Sequence, residues 1–194
     1  LLAGSEGTLA FTLSIKLNLV PLPPKEKALL CAHFKTKEEA FQANLIALKF
    51  NPGAVEMMDR NILDLTKENI EQRKNRFFVK DNPAAILIIE FERETKEEIE
   101  KLTFDLTEAL KSAGFGYHYP IIYGSDINKV WALRKAGLGV LSNLPGDAKP
   151  VSLIEDCAID VNVLPGYINE FEQLLNKYGK NCVYHAHIGS GELH

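Results

Sequence analysis

The sequence predicts an α+β fold, in which a ferredoxin-like antiparallel sheet carries helices packed on one face. One observation is a pattern of strand, amphipathic helix and strand that the chain uses three times. Another is that no strand–helix junction carries a glycine-rich loop of the GxGxxG type, which argues against a dinucleotide-binding parallel sheet. The third is size, because 194 residues with 46% hydrophobic and 25% charged residues suffice for one sizeable core.

The first elements lie on either side of a proline-rich linker. Residues 1–20 alternate loosely between apolar and polar side chains, which predicts a strand. The linker PLPPKEK at 21–27 interrupts regular pairing with its three prolines, so we place a domain boundary at about residue 22. The strand ALLCAHF follows, then a helix in TKEEAFQANLIALKF that Thr36 and Glu39 cap, then the strand GAVEMMD.

The second half of the chain continues this pattern. The strand AAILIIEFE precedes a helix that begins at a capping box of Thr95 and Glu98 and ends at Gly114. The polar segment 59–83 is predicted to be helical and to cover a sheet edge or a partner surface. The remaining elements are the short extended YHYPIIY, a helix in SDINKVWALRKAGLGVLSNL, the strand CAIDVNV, a helix in PGYINEFEQLLNKYGK and the strand NCVYHAHIG.

Composition excludes several classes of function. The net charge of −4, the pI of about 5.8 and the lack of a basic run argue against nucleic acid or anionic lipid as the main partner. No apolar stretch reaches the ~20 residues of a membrane span, and the first residues lack the positive charge of a signal peptide. Cys31, Cys157 and Cys182 form no CxxC pair. We interpret them as free thiols of a cytoplasmic protein, with a disulfide or metal role as the alternative.

The histidines near the end of the sequence are the strongest candidates for a functional site. Imidazole is a common ligand of Zn, Fe and Mn near neutral pH. His187 follows a strand, and Gly189 and Gly191 allow a sharp turn that returns His194 towards it. His185 shares the strand face of His187 and could be a third ligand. The alternatives are a pair of hydrogen-bonded turn histidines and, for His185, a packed strand side chain.

Two cations and one glycine-flanked turn are the other candidates. Arg134 offers a rigid fork for a carboxylate, and Lys149 lies fifteen residues further along, so the two would suit an organic acid; each alone could be a solvated surface charge. The turn Gly4-Ser5-Glu6-Gly7-Thr8 lets backbone N–H groups approach an anion or a ring system, or it is an ordinary turn before a strand.

Taken together, these segments resemble a known family. GSEGTLA resembles the stretch that closes the FAD-binding domain of flavoproteins of the vanillyl-alcohol-oxidase type. AVEMMD, the pattern W-x-x-R followed by Lys149, and the final H-x-G-x-G-x-L-H resemble segments of the FAD-linked oxidase C-terminal domain. That family includes D-lactate dehydrogenase, the flavin subunit of glycolate oxidase and D-2-hydroxyglutarate dehydrogenase. The resemblance covers nearly the whole chain, in the right order.

The resemblance implies a role for each matching residue. His187 and His194 match two histidines that bind a divalent metal, Zn, Mn or Fe, beside the flavin. Arg134 and Lys149 match the cations that hold the substrate carboxylate. The residues that match the FAD-contacting turn are Gly4, Ser5, Gly7 and Thr8.

The sequence also departs from the family pattern. Ser190 and Glu192 stand where the family has Asp and Asn, and Glu192 lies where that Asn often helps to hold the substrate. Leu138 occupies a position that often carries a hydroxyl in hydroxyglutarate enzymes, so we expect a smaller, D-lactate-like or glycolate-like substrate. The family's EHG motif, with a carboxylate metal ligand and a catalytic histidine, would follow residue 194. We therefore expect residues 1–21 to be a remnant of the FAD-binding domain and 22–194 a substrate or cap domain.

The reaction implied by the resemblance is hydride transfer from a 2-hydroxy acid to FAD, with Arg134, Lys149 and Glu192 at the substrate. An Fe–S electron-acceptor domain or subunit and a homodimer are the implied macromolecular partners. The 194 residues alone are expected to be colourless and inactive. Two alternatives remain: a non-catalytic ferredoxin-like module for dimerisation or docking, and a hydrolytic metalloprotein built on the histidine cluster.

Overall fold

A computed structural model describes residue 2 and residues 4–143, 146–147, 149–151, 154 and 156–194, without the side chain of Leu138. The strands are β1 (Glu26–Phe34), β2 (Ala54–Asp59), β3 (Ala85–Arg93), β4 (Ile121–Tyr123), β5 (Cys157–Ala158), β6 (His185–His187) and β7 (Glu192–Leu193). The α-helices are α1 (Lys37–Ala47), α2 (Arg60–Glu68), α3 (Ile70–Arg73), α4 (Lys96–Ser112), α5 (Asp126–Lys135), α6 (Gly137–Ser142) and α7 (Leu164–Lys177), with 3-10 turns at Leu48–Phe50 and Lys74–Arg76.

All seven strands belong to one antiparallel sheet, in the order β4-β1-β3-β2-β6-β7-β5. The first four strands and helices α1 and α4 form the β-α-β-β-α-β unit of a ferredoxin-like fold. The three short strands from the last third of the chain extend this sheet at the edge of β2, where Met58 pairs with His185. The predicted α+β class with an antiparallel sheet is therefore confirmed.

Helices cover both faces of the sheet, which corrects the prediction that they pack on one face. One face, which we call the α1 face, packs against α1, α4 and α7 through alternate residues such as Leu30 and Leu87. The opposite α5 face packs against α2 and α5 through residues such as Cys31 and Ile88. Strands β1 and β3 are apolar at nearly every position, so neither of their faces can be left in water.

Local signals in the sequence place the main helices correctly. The Thr36 hydroxyl accepts a hydrogen bond from the Glu39 backbone N–H at 3.1 Å, and so caps α1. Thr95 and Glu98 form the predicted capping box at the start of α4. These bonds satisfy N–H groups that have no partner within the helix.

Four predicted elements differ from the structure. The strand expected within residues 1–20 is not formed, because none of the strands in the described ranges pairs with it and its apolar side chains are exposed. The strand CAIDVNV shortens to β5, and the helix expected over 125–144 is divided at Ala136 into α5 and α6. The segment 59–83 forms α2, α3 and a 3-10 turn, and it covers the α5 face rather than a sheet edge. Among the described residues, no helix combines the length and apolar character needed to cross a bilayer.

Candidate active site

The hairpin of β6 and β7 and the residue after it carry four predicted site residues on the α5 face: His185, His187, Glu192 and His194. His187 pairs with Glu192 across the hairpin, and His185 exchanges two backbone hydrogen bonds with His194, at 2.9 and 3.1 Å. Alternate residues of a strand share a face, so His185 and His187 lie on the same side, as predicted. Ala186 points to the opposite side and joins the α1-face core.

Gly191 closes the turn of this hairpin. It has a left-handed φ of +77°, and its N–H donates to the Ile188 carbonyl at 3.2 Å. A Cβ atom at Gly191 would overlap the Ile159 carbonyl oxygen, because the chain before α7 packs directly against the turn. The predicted sharp turn is thus present, and a residue without a side chain is required there.

His187, Glu192 and His194 form a group of donors that fits a divalent cation. One ligand atom from each lies within 4.8 Å of the others. The two imidazole rings meet edge to face, with centroids 5.3 Å apart. Two imidazoles and a carboxylate are a donor set that zinc and related cations accept.

Each of these two histidines is held by a carboxylate at its Nδ1 atom. His187 Nδ1 lies 2.7 Å from Glu56 Oε1, and His194 Nδ1 lies 3.0 Å from Asp156 Oδ1. A carboxylate accepts hydrogen bonds, so both contacts favour the tautomer with a proton on Nδ1. That tautomer leaves the Nε2 lone pair for a ligand.

Arg134 on α5 lies beside this group. Its Nη2 atom lies 3.0 Å from Glu56 Oε2, and its Nη1 atom lies 3.3 Å from His185 Nδ1. Arginine can only donate, so this ring nitrogen of His185 is an acceptor. Burial lowers the pKa of Arg134, and the negative charge of Glu56 opposes that shift. The structure therefore brings Arg134 to the histidine cluster, as predicted.

Glu56 was not predicted from the sequence, although it contacts both His187 and Arg134. Its neighbours Val55 and Met57 point to the α1 face, so the intervening Glu56 must point to the α5 face. A carboxylate between apolar residues of the strand AVEMMD is the signal that could have identified it, because a half-buried acid needs a partner.

Lys149 and the glycine-flanked turn are the other predicted site residues. Lys149 is exposed, while its neighbours Pro150 and Val151 line the cavity described below. The predicted turn is formed, with a hydrogen bond of 2.9 Å from the Thr8 N–H to the Ser5 carbonyl and a φ of +80° at Gly7. The roles of Lys149 and of this turn remain predictions.

A cavity of about 410 Å³ adjoins the histidine cluster. His185 and His194 form part of its wall, and most of the rest is apolar. The apolar side chains come from α6, α7, β7 and the irregular segments before β5 and β6: Leu141, Val151, Ile154, Phe171, Leu175, Val183 and Leu193. Polar groups at one end of an apolar cavity are typical of a small-molecule site.

Several known proteins are similar to this chain. The chain is 32% identical over 205 residues to D-2-hydroxyglutarate dehydrogenase of Haemophilus influenzae, covering all of this chain and 20% of that protein. It is 28% identical to glycolate oxidase subunit GlcD of Escherichia coli, of which it covers 37%, and 24% identical to D-lactate dehydrogenase of Archaeoglobus fulgidus, of which it covers 40%. The chain thus spans about a fifth to two fifths of these relatives.

A solved structure of alkyldihydroxyacetonephosphate synthase shares the fold, with a TM-score of 0.55 and 14% identity over 88% of this chain and 35% of that one. The family model that matches is that of the FAD linked oxidases, C-terminal domain, and it covers residues 23–194. With nearly all of its residues inside that match, this chain belongs to the FAD linked oxidases, C-terminal domain family.

Proposed function

We propose that the complete protein is an FAD-dependent enzyme that oxidises a small 2-hydroxy acid by hydride transfer to the flavin. The observation that carries this proposal is the placement of Arg134 beside the donor group of His187, Glu192 and His194. A hydroxy acid has two groups to hold, and this site offers a cation for the carboxylate and metal ligands near the hydroxyl.

The residues of the chain would bind and orient the substrate. Arg134, helped by Lys149, would hold the carboxylate so that the α-carbon hydrogen faces the flavin. The flavin, when bound, accepts the hydride, and the turn of Gly4, Ser5, Gly7 and Thr8 would contact it. His187, Glu192 and His194 would hold a divalent cation such as Zn, Mn or Fe, which when bound polarises the substrate hydroxyl and lowers its pKa.

Glu192 supports a preference for a small monocarboxylate substrate, such as D-lactate or glycolate. Its carboxylate lies 3.9 Å from His194 Nε2 and adds negative charge at the cluster. A second carboxylate on the substrate, as in hydroxyglutarate, would be repelled there. Leu138 was the other basis for this preference, but its side chain lies outside the described part of the structure. We expect Glu192→Asn to raise kcat/KM for D-2-hydroxyglutarate relative to D-lactate; an unchanged ratio would contradict this role.

The proposed location is the cytoplasm, and the proposed partners are macromolecular. The three cysteines are free thiols, which supports a reducing cytoplasm. An Fe–S electron acceptor and a homodimer are proposed from the family resemblance. Iron and sulfide analysis and light scattering on the complete protein test these two partners.

The flavin and the metal are tested directly in the complete protein. The visible spectrum should show bound flavin, and 2-hydroxy acids should bleach it under anaerobic conditions. His187→Ala and His194→Ala should each lower metal content and turnover, because either variant removes an imidazole donor. His118→Ala is the matched control, since His118 lies at the opposite end of the sheet, where its backbone bridges to β1. Full metal content and activity in both site variants would overturn the metal proposal, and a colourless complete protein would overturn the flavin proposal.

A further inference from the structure

We infer that Glu56 is a positioning residue that fixes the Arg134 guanidinium and the His187 imidazole relative to one another. This inference rests on the proposed function, in which Arg134 holds the substrate carboxylate and His187 binds the metal. Glu56 itself touches neither substrate nor metal in this scheme. It acts through the two side chains that it contacts.

The two oxygens of Glu56 serve different partners. Oε1 lies 2.7 Å from His187 Nδ1, and Oε2 lies 3.0 Å from Arg134 Nη2. The Glu56 side chain is only 13% exposed and that of Arg134 only 11%, so water competes little for the contact between these two, whereas the His187 side chain is 49% exposed. Charged hydrogen-bonding groups in such surroundings are held more firmly than at an exposed surface.

The contact with His187 sets the chemistry of that imidazole. Glu56 lies on β2, which is buried inside the sheet, and so it presents a fixed acceptor to Nδ1. The carboxylate therefore keeps the proton on Nδ1 and the lone pair on Nε2, and it also fixes the ring plane. Such carboxylate–histidine pairs tune the affinity of the metal site that the histidine serves.

The contact with Arg134 sets the direction of the guanidinium. One terminal nitrogen faces Glu56 and the other faces His185, so the plane of the fork is determined from both sides. Neither Nε nor Nη2 has an aligned hydrogen bond with any residue in the described ranges.

These contacts close into a ring of side chains. His185 stacks on His194 with ring centroids 4.8 Å apart, and His194 meets His187 at 5.3 Å. Starting from Glu56, the ring runs through Arg134, His185, His194 and His187 and back to Glu56. Because the ring joins the substrate-binding cation to the metal ligands, loss of Glu56 should disturb both functions together.

The test compares two similarly buried carboxylates in the same sheet. Glu56→Gln keeps the shape of the side chain and removes its charge. Glu90→Gln is the matched control, because Glu90 is also 13% exposed, lies on the adjacent strand β3 and pairs with Lys27 rather than with the site. Thermal melting first confirms that each variant of the complete protein folds. Should Glu56→Gln not fold, Glu56→Asp withdraws the carboxylate by one methylene and takes its place in every measurement.

Three measurements are made on each variant. Nitrogen-15 NMR of the metal-free protein reports which His187 nitrogen carries the proton. Titration with Zn²⁺ reports metal affinity, and steady-state kinetics at saturating Zn²⁺ report KM and kcat separately. We expect Glu56→Gln to reduce the Nδ1–H population of His187, to weaken Zn²⁺ binding about 10- to 100-fold and to raise KM about 10-fold or more. Glu90→Gln should match the parent in all three.

The outcomes separate this inference from the proposed function. A parental tautomer, zinc affinity and KM in Glu56→Gln, together with zinc loss in His187→Ala, would overturn the positioning role and leave the metal site intact. A lower KM in Glu56→Gln would also overturn it, because Glu56 would then compete with the substrate for Arg134. Parental zinc affinity in His187→Ala would instead reject the proposed function on which the inference rests.

Discussion

Gly191→Ala should destabilise the protein and its metal site together, because two separate costs arise at this position. The first is conformational: a residue with a Cβ at a φ of +77° costs about 1–2 kcal/mol. The second is steric, since the new Cβ would overlap the Ile159 carbonyl oxygen, and the Ile159 N–H donates to the Gly191 carbonyl at 2.9 Å. Forcing extra volume into packed structure adds about 1–3 kcal/mol.

Gly114→Ala provides the matched control for this prediction. Gly114 has a φ of +76°, and a Cβ atom built there meets nothing within 4 Å. It therefore carries only the conformational cost, about 1–2 kcal/mol. The difference between the two variants isolates the steric overlap and should be about 1–3 kcal/mol.

Urea unfolding of both variants measures this difference, provided that the two transitions have the same slope. Relief of the overlap must move either the hairpin or the segment at Ile159, and Glu192 follows Gly191 directly. Zn²⁺ affinity should therefore fall in Gly191→Ala and stay at the parental value in Gly114→Ala. If Gly191→Ala proves no less stable than Gly114→Ala, the packing of the turn against Ile159 is wrong.

The other predictions concern acid stability, substrate binding and thiol reactivity. Burial lowers the pKa of His33 from its usual 6.5 to about 4, and its neutral ring accepts the Lys80 N–H at 3.2 Å. As the pH falls, the unfolded chain takes up this proton first, so the contribution of His33 to stability is full above pH 6.5 and declines towards pH 4. Urea unfolding should show that the free energy of unfolding falls by about 2 kcal/mol between about pH 7.5 and pH 5. The loss should be smaller in His33→Gln. Arg134→Ala should lower kcat/KM by an amount that corresponds to about 1.5–3 kcal/mol of lost transition-state binding, and an unchanged kcat/KM would reject the role of Arg134. Iodoacetamide should modify the half-buried Cys157 in the native protein and should modify Cys31 only after unfolding, because Cys31 is buried and burial raises its pKa. Mass spectrometry of labelled peptides shows which of the two cysteines is modified first.

The elements that the sequence predicted well are those fixed by local chemistry. Capping by Thr36 and Thr95 depends on residues three positions away, so the first residues of α1 and α4 can be predicted from a short stretch of sequence. The clustering of His187 with His194 was predictable for the same reason, since the turn between them contains two glycines. The antiparallel sheet followed from the order of elements.

The features that escaped prediction depend on distant contacts. Glu56 and His187 are 131 residues apart in the chain, so no local pattern could pair them. The helical cover of the α5 face comes partly from the segment 59–83, whose polar composition concealed the few apolar residues that it buries, such as Leu63 and Phe78. The strand expected within residues 1–20 needed a neighbouring strand as well as an alternating pattern, because a strand forms only with a partner.

The order in which the sheet can assemble follows from the position of β2. This strand pairs with β3 on one side, and its other edge stays unpaired until β6 has been synthesised. At that edge the Tyr184 N–H donates a hydrogen bond to Asp59, 125 residues earlier in the chain. During synthesis this edge of β2 therefore stays open until His185–His187 has emerged, and open edges recruit other chains. A charged side chain on such an edge discourages that pairing, and Glu56 supplies one. We therefore expect Glu56, which contacts His187 and Arg134 in the folded site, also to disfavour pairing of the unfinished chain with other chains.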